Sequence, residues 1–474
     1  MALGDGKPSK VANEALQNEK NQPLAIRRVF LPNLILFLFV WLAITAWHHD
    51  VLWLPPYEEQ CTGLWYEVDF LVESGFDYHR LRYEEPHFMS PKVGARSYMI
   101  SLVPTLFALL ILACPTLPLT YFVGHLAMFA FASVTIVALH AMLRPTVGLI
   151  PSIVLCAAVL ATPSYAVQIE MLGMEIPMIA FSVLAVLSLW RGHFALAALL
   201  STLGFLMKVN AILVTASSAT YLLYLWRLGS RDAESKRRAR RGLVWHVLAL
   251  AFQLGLSWWG DTSFEARQEV QTLYGGLNGV LGIRNAIHWC PELVVLFFVG
   301  VGMLLLGMLY RQRDPASGKS VPWSWRSDDG DSVFPLMGLS WLITLLWTAS
   351  MASYIFTPRY ASGTVPFLYL AAGITLFRFP WRRSIPLAFF LILFGFNLAN
   401  SSGRFLPSIA DVGKETFAEN PFTRPRWCIL LERSREYLPD LHANLEAMQT
   451  LEREHADVPM LMTGPYAFTP DCPA

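Results

Sequence analysis

Long runs without a single charged side chain constrain this chain more than any other feature. Residues 29–47, 118–142 and 385–398 contain no Asp, Glu, Lys or Arg, and 292–309 contains only Glu292. A helix crossing the hydrocarbon core of a bilayer needs roughly 17–25 apolar residues. Its backbone satisfies its own hydrogen bonds there, which an irregular segment facing lipid cannot do. Composition agrees, at 54% hydrophobic and 15% charged, against about 25% charged in ordinary soluble domains. The expected fold class is therefore an all-α polytopic membrane protein. A soluble enzyme, a secreted disulfide scaffold, a disordered chain and a nucleic-acid binder are excluded. The net charge of +1 says nothing about partners, whereas the placement of the charges does.

The sequence predicts spans near 29–47, 118–142, 147–163, 176–190, 194–206, 209–226, 243–259, 292–309, 333–352, 364–377 and 385–398, about eleven transmembrane helices in all. The stretch 98–114 is apolar but broken by Pro104 and followed by Pro115 and Pro118. Short cytoplasmic loops collect Lys and Arg, and this rule arbitrates. If 98–114 lies in the outer interface without crossing, more than half of the 36 basic residues face one side. They include the N-terminal tail, Arg144, Arg191, the run 227–241, loop 310–332 and loop 378–383. If it crosses, the cluster 235–242 falls outside. The expected organisation is a cytoplasmic tail (1–28), a transmembrane domain (29–398) and a small extracytoplasmic C-terminal segment (399–474). The domain includes a large first outer loop (48–97) and the interfacial stretch 98–114. The tail segment carries a predicted helix over 428–452 and a short strand at 458–462.

Of the six cysteines, Cys114 and Cys156 sit in apolar segments, while Cys61, Cys290, Cys428 and Cys472 fall on the outer side. A Cys428–Cys472 bridge would suit an oxidising compartment. The chain has no P-loop, GxGxxG, HExxH or CxxC motif, so the usual signatures of ATP-driven transport and nicotinamide chemistry are missing.

Ionisable residues gather at outer helix ends. The first outer loop places Glu58 and Glu59 just behind a rigid Pro55-Pro56, near the membrane surface, and carries His48, Glu67, Glu85, His87, Lys92 and Arg96 as well. The turn between the third and fourth predicted spans holds Glu170 and Glu175, the latter directly before Ile176-Pro177. Carboxylates beside membrane-buried sequence are costly unless paired or functional, although Glu175 would also suit the positive end of a helix dipole. Lys208 lies between two apolar stretches, and Pro358-Arg359-Tyr360 follows the ninth predicted span. Acids and bases thus converge on one side of the membrane, as a reaction site requires.

These elements resemble the multi-pass GT-C glycosyltransferases, above all the protein O-mannosyltransferase and aminoarabinose-transferase group. The resemblance rests on Glu58-Glu59, on Phe70-Leu71-Val72-Glu73-Ser74-Gly75-Phe76, and on Glu85-Pro86-His87-Phe88-Met89-Ser90-Pro91-Lys92. Further on it rests on Glu175-Ile176-Pro177-Met178, Leu206-Met207-Lys208 and Pro358-Arg359-Tyr360. Two departures stand out. Glutamate occupies the position of the family's catalytic aspartate, and Ser90 that of the lysine before the segment's proline.

The resemblance implies transfer of a sugar from a polyprenyl-phosphate donor to a glycan, lipid or protein acceptor hydroxyl on the outer face, with inversion. Glu58 or Glu59 would be the base, with Glu175 orienting the acceptor. Lys92, Arg96, Lys208, Arg359 and Tyr360 would hold the donor and its phosphate, and Glu85, His87 and Glu170 would support the acceptor. A divalent cation, Mg²⁺ or Mn²⁺, shared by Glu58 and Glu175 would suit carboxylate ligands. The expected location is a bacterial plasma membrane, N-terminus inside and C-terminus outside. The alternatives are a transporter or lipid-binding membrane protein, whose polar groups would lie along a substrate path, and an inactive relative of the transferases.

Overall fold

The computed structural model describes residues 31–55, 64–78, 102–229, 233–260, 290–309, 311–313, 320–322, 333–352, 361–379, 381–401 and 450. Fourteen α-helices occupy these residues. They run α1 (Leu31–Trp47), α2 (Tyr66–Glu73), α3 (Leu102–Ala113), α4 (Leu117–Val147), α5 (Leu149–Ala161), α6 (Pro163–Glu170) and α7 (Glu175–Trp190). They continue with α8 (Phe194–Met207), α9 (Ile212–Tyr224), α10 (Ala233–Gly260), α11 (Pro291–Leu309), α12 (Val333–Ala352), α13 (Val365–Arg378) and α14 (Ser384–Ser401). Each of the predicted apolar stretches falls on a helix. By length and composition, three described helices can cross a membrane, or four if α5 and α6 count as one bent span, and seven shorter apolar helices accompany them. The protein is a multi-pass integral membrane protein built from helices.

Burial sorts the helices into a centre and a lipid-facing shell. Every residue of α13 from Val365 to Phe377 is buried, and α13 packs against α4, α11 and α12. A helix that is apolar all round belongs inside a bundle. α7 is nearly as enclosed, lying between α4 and α8. By contrast α1, α10, α11 and α14 turn large apolar side chains outward, with Phe39 68%, Leu309 79% and Ile392 73% exposed. Lipid removes the penalty such exposure carries in water.

Three features differ from the sequence reading. The predicted span 147–163 is two helices, α5 and α6, bent by 65°. Thr162 is extended (φ −62°, ψ 121°) and Pro163 starts α6. A residue before proline is pushed out of the α region, and proline is at home in a helix's first turn. Buried polar side chains pin the bend: Asn397 Nδ2 donates to the Tyr369 hydroxyl at 2.7 Å and to Thr162 Oγ1 at 3.2 Å. The predicted span 243–259 is the second half of α10, which begins at Ala233, so the basic run 235–242 is helical and not a loop. Finally, a short antiparallel hairpin, β1 (Arg311–Arg313) with β2 (Ser320–Pro322), follows α11, a departure from an all-α fold confined to one loop.

The stretch 98–114 contributes α3, which packs against α2 and α4. Its 12 residues extend about 18 Å, short of the roughly 30 Å hydrocarbon core. At Gly148 the backbone takes φ +100°, a left-handed value that glycine tolerates, and α5 starts directly after α4. Cys114 and Cys156 are free thiols, and Cys156 and Cys290 are buried. Cys61, Cys428, Cys472 and the predicted 458–462 strand lie outside the described residues, as does all of the predicted 428–452 helix except Thr450.

Candidate functional site

Two buried acid–base pairs form where α1, α6, α7 and α8 end or begin. α7 opens with Glu175 in its first turn, where a carboxylate meets the positive end of the helix dipole. α8 ends at Met207, and Lys208 leaves it in extended conformation. α7 and α8 pack as an antiparallel hairpin, which brings the C-terminal end of α8 to the start of α7. Lys208 Nζ donates directly to Glu175 Oε1, with side chains only 13% and 5% exposed. Attraction between such charges is much less screened than at a wet surface, and desolvation makes each partner dependent on the other.

The second pair links far-separated parts of the chain. His48 follows the last turn of α1, its backbone N–H bonded to the Ile44 carbonyl at 2.9 Å. Its Nδ1 lies 2.6 Å from Oε1 of Glu170, the last residue of α6, and both side chains are essentially buried. The carboxylate accepts from Nδ1, which fixes the ring's orientation. Phe129 of α4 lies 5.9 Å from the His48 ring and 6.2 Å from that of His125. His125 Nε2 is 3.1 Å from the carbonyl of Leu54. The segment after α1 therefore leaves the bundle through a fixed root: His48 is tied to α6, and Leu54, directly before Pro55-Pro56, is tied to α4.

Beyond its root, the loop returns as α2. Trp65 is fully buried between Phe107 of α3 and Tyr121 of α4, at ring distances of 5.0 and 5.6 Å. Two residues on, Glu67 is 1% exposed, and neither carboxylate oxygen has a hydrogen-bond partner among the described residues. Burial holds its carboxyl well above the usual carboxylate range, because desolvation disfavours the charged form.

The structure brings Glu175 together with Lys208, and Glu170 with His48. Glu58, Glu59, Glu85, His87, Lys92, Arg96, Arg359 and Tyr360 lie outside the described residues. His48, His125 and Glu67 were not singled out in sequence as site residues. His48 looked like one more polar residue after a span. A signal for Glu67 did exist: it stands inside Leu64-Trp65-Tyr66-Glu67-Val68, where a solvated loop acid is out of place. Among the described residues no three His, Cys, Asp or Glu side chains gather closely enough to hold a metal ion.

No protein-family model matches this sequence, and no curated protein does. Among solved structures, the chain is similar to the crystal structure of ArnT from Cupriavidus metallidurans bound to undecaprenyl phosphate. The two share 14% identity over 89% of this chain and 72% of that one, with a TM-score of 0.47.

Proposed function

We propose that the protein is a membrane glycosyltransferase that moves a sugar from a polyprenyl-phosphate donor to an acceptor hydroxyl, with inversion at the anomeric carbon. The observation that carries this reading is the buried Lys208–Glu175 pair, which stands at the same helix ends as His48 and the root of the acidic first loop. An ammonium with three donors, held in place by a buried carboxylate, is a preorganised partner for a phosphate arriving along the membrane. Such groups are most effective where water is excluded.

The transfer is a single in-line displacement. The acceptor oxygen forms a bond to the anomeric carbon while the bond from that carbon to the phosphate oxygen breaks. The phosphate leaves with the electron pair. The acceptor proton passes to a carboxylate, Glu58 or Glu59 in this proposal, and a positioned base of this kind contributes about 10²–10⁴-fold. Lys208, with Lys92, Arg96 and Arg359, neutralises the departing phosphate, the arginines being suited to bidentate contact. Tyr360 is assigned to the donor side, and Glu85, His87 and Glu170 to support of the acceptor. Glu175 keeps Lys208 in register; in this reading its main part is positioning a cation, with orientation of the acceptor a second part. A divalent cation between Glu58 and Glu175 is not needed for any of these steps.

The test is incubation of the purified protein with polyprenyl-phosphate sugars and measurement of donor consumption and free polyprenyl phosphate. Turnover that falls in Glu58→Gln/Glu59→Gln while donor binding persists supports the proposal. Donor that is bound by the wild type and never consumed, with any acceptor supplied, would favour the lipid-binding alternative.

A further inference from the structure

The end of the bundle opposite Glu175 and Lys208 carries a different kind of site. Helix α7 has 16 residues and so spans about 24 Å, which places Arg191, at its C-terminal cap, that far from Glu175. Three chain segments meet at this far end. Gly242 of α10 is the contact point: a Cβ there would lie 2.9 Å from the ring of Phe194 and 3.2 Å from Leu222. The approach brings the first half of α10 against the start of α8, directly after Arg191, on one side and the end of α9, continuing to Arg227, on the other.

The side chains that converge are strongly one-signed. Arg191, Arg227, Arg237, Arg240 and Arg241 are exposed and Lys236 is half-buried. Among the described residues of these segments the acid is Glu234, and it is held by Arg238 at 3.1 Å, both largely exposed. The cations of α10 lie close together in its N-terminal part and repel one another. The arrangement is unfavourable alone and favourable beside a negative surface. The same segments turn apolar groups outward next to the charges, with Val244 53%, Trp245 51% and Tyr224 55% exposed, and Arg227 stacks on Trp226 at 4.4 Å. Aromatic rings beside cations at a helix end mark the level of lipid headgroups.

We infer that this end of the bundle binds the headgroups of anionic phospholipids in the adjoining leaflet. The guanidinium groups of Arg191, Arg227, Arg237, Arg240 and Arg241 take the phosphates, and the neighbouring apolar side chains meet the acyl chains. Free phosphate or a soluble polyanion would satisfy the cations and leave the contiguous apolar surface unused, whereas a phospholipid satisfies both. Clusters of four or more Lys and Arg directly beside a membrane helix attract anionic lipid, each cation contributing a factor of about five. The site lies at the other end of the bundle from the Lys208–Glu175 pair, so it is independent of the proposed transfer reaction.

The full-length protein reconstituted in phosphatidylcholine vesicles with a minority of phosphatidylglycerol provides the test. After mild detergent extraction, the lipids retained per protein are counted by mass spectrometry. The expected result is phosphatidylglycerol enriched above its share of the vesicle, with the enrichment falling as salt is raised. Arg191→Gln and Arg227→Gln, from two elements other than α10, should each reduce it about fivefold. Arg237→Gln/Arg240→Gln/Arg241→Gln should abolish it, and the same positions changed to Lys should preserve it. Lys7→Gln/Lys10→Gln/Lys20→Gln, which removes equal charge from the N-terminal tail, should leave it unchanged. Undiminished enrichment in the Arg191 and Arg227 variants, or equal loss in the tail variant, overturns the proposal. So does displacement of the lipid by inorganic phosphate alone.

Discussion

The two ends of the helical bundle handle charge in opposite ways. Among the described residues, Glu175, Lys208, Glu170 and His48 are buried and matched acid to base. Around Arg191, Arg227 and the first half of α10 the ionisable groups are many, exposed and nearly all positive. The first arrangement is expensive to build and gains from fixed geometry, since an incorrectly placed buried charge has no water to fall back on. The second is inexpensive and tolerant, because solvent and counter-ions screen exposed charge. A reaction site calls for the first kind, and an attraction to a charged surface calls for the second.

The contrast breaks most visibly if the buried end behaves like a surface. Glu175→Ala leaves the Lys208 ammonium enclosed without its counter-charge, and should lower stability by about 3–5 kcal/mol. Replacing both partners with well-packed apolar residues, Glu175→Leu/Lys208→Met, should recover most of that loss while donor binding stays impaired. Thermal melting in detergent measures both. A single-variant cost typical of an exposed pair would erase the distinction between the ends.

Glu67 sharpens the same point for an acid whose charged form burial disfavours. Removal of the buried polar group in Glu67→Met should raise stability by about 1–3 kcal/mol at neutral pH. The sign of the pH dependence follows from the raised native pKa. Unfolding lets the carboxyl release its proton at an ordinary pKa near 4.3, so the unfolded state binds fewer protons above that pH and wild-type stability falls as pH rises through it. The advantage of Glu67→Met should therefore grow with pH above about 4.3 and level off below it, where only the cost of burying the unbonded neutral carboxyl remains. A constant difference across this range would mean that Glu67 is not held protonated.

At the basic end, Gly242→Ala pushes a methyl to 2.9 Å from the Phe194 ring. Overpacking of this kind costs about 1–3 kcal/mol, at the lower end if α10 and the start of α8 can part slightly. No change on melting would mean that the three segments do not meet as described. The smallest effect is expected for Arg238→Gln, which breaks an exposed i,i+4 pair with Glu234 and should cost less than about 0.5 kcal/mol. A larger cost would show that this end also depends on specific pairing.

The helices themselves were largely legible before any coordinates. The predicted stretch 176–190 is α7, Glu175–Trp190, and 194–206 is α8, Phe194–Met207. Local hydrophobicity specifies such elements because each one satisfies its own backbone. The helical start of α10 is hidden in the sequence, since a run of charge suggests a loop, yet Ala, Glu, Lys and Arg are strong helix formers. The bend at Thr162-Pro163 was half-legible: the proline was visible, but its consequence was hidden without the Tyr369 and Asn397 side chains that accept the kink.

For the candidate site, residue types were readable and pairings were not. Glu170, Glu175 and Lys208 stood out because acids and bases beside apolar sequence are unusual. That Lys208 meets Glu175, 33 residues away, and that Glu170 meets His48, 122 residues away, depends on which helix ends lie together. The sequence alone determined that this chain is built of membrane helices, because hydrophobicity is summed locally along the chain. Only the tertiary structure decided which charges are buried in pairs and which are left on the surface, because pairing depends on distances between helices that have no local counterpart.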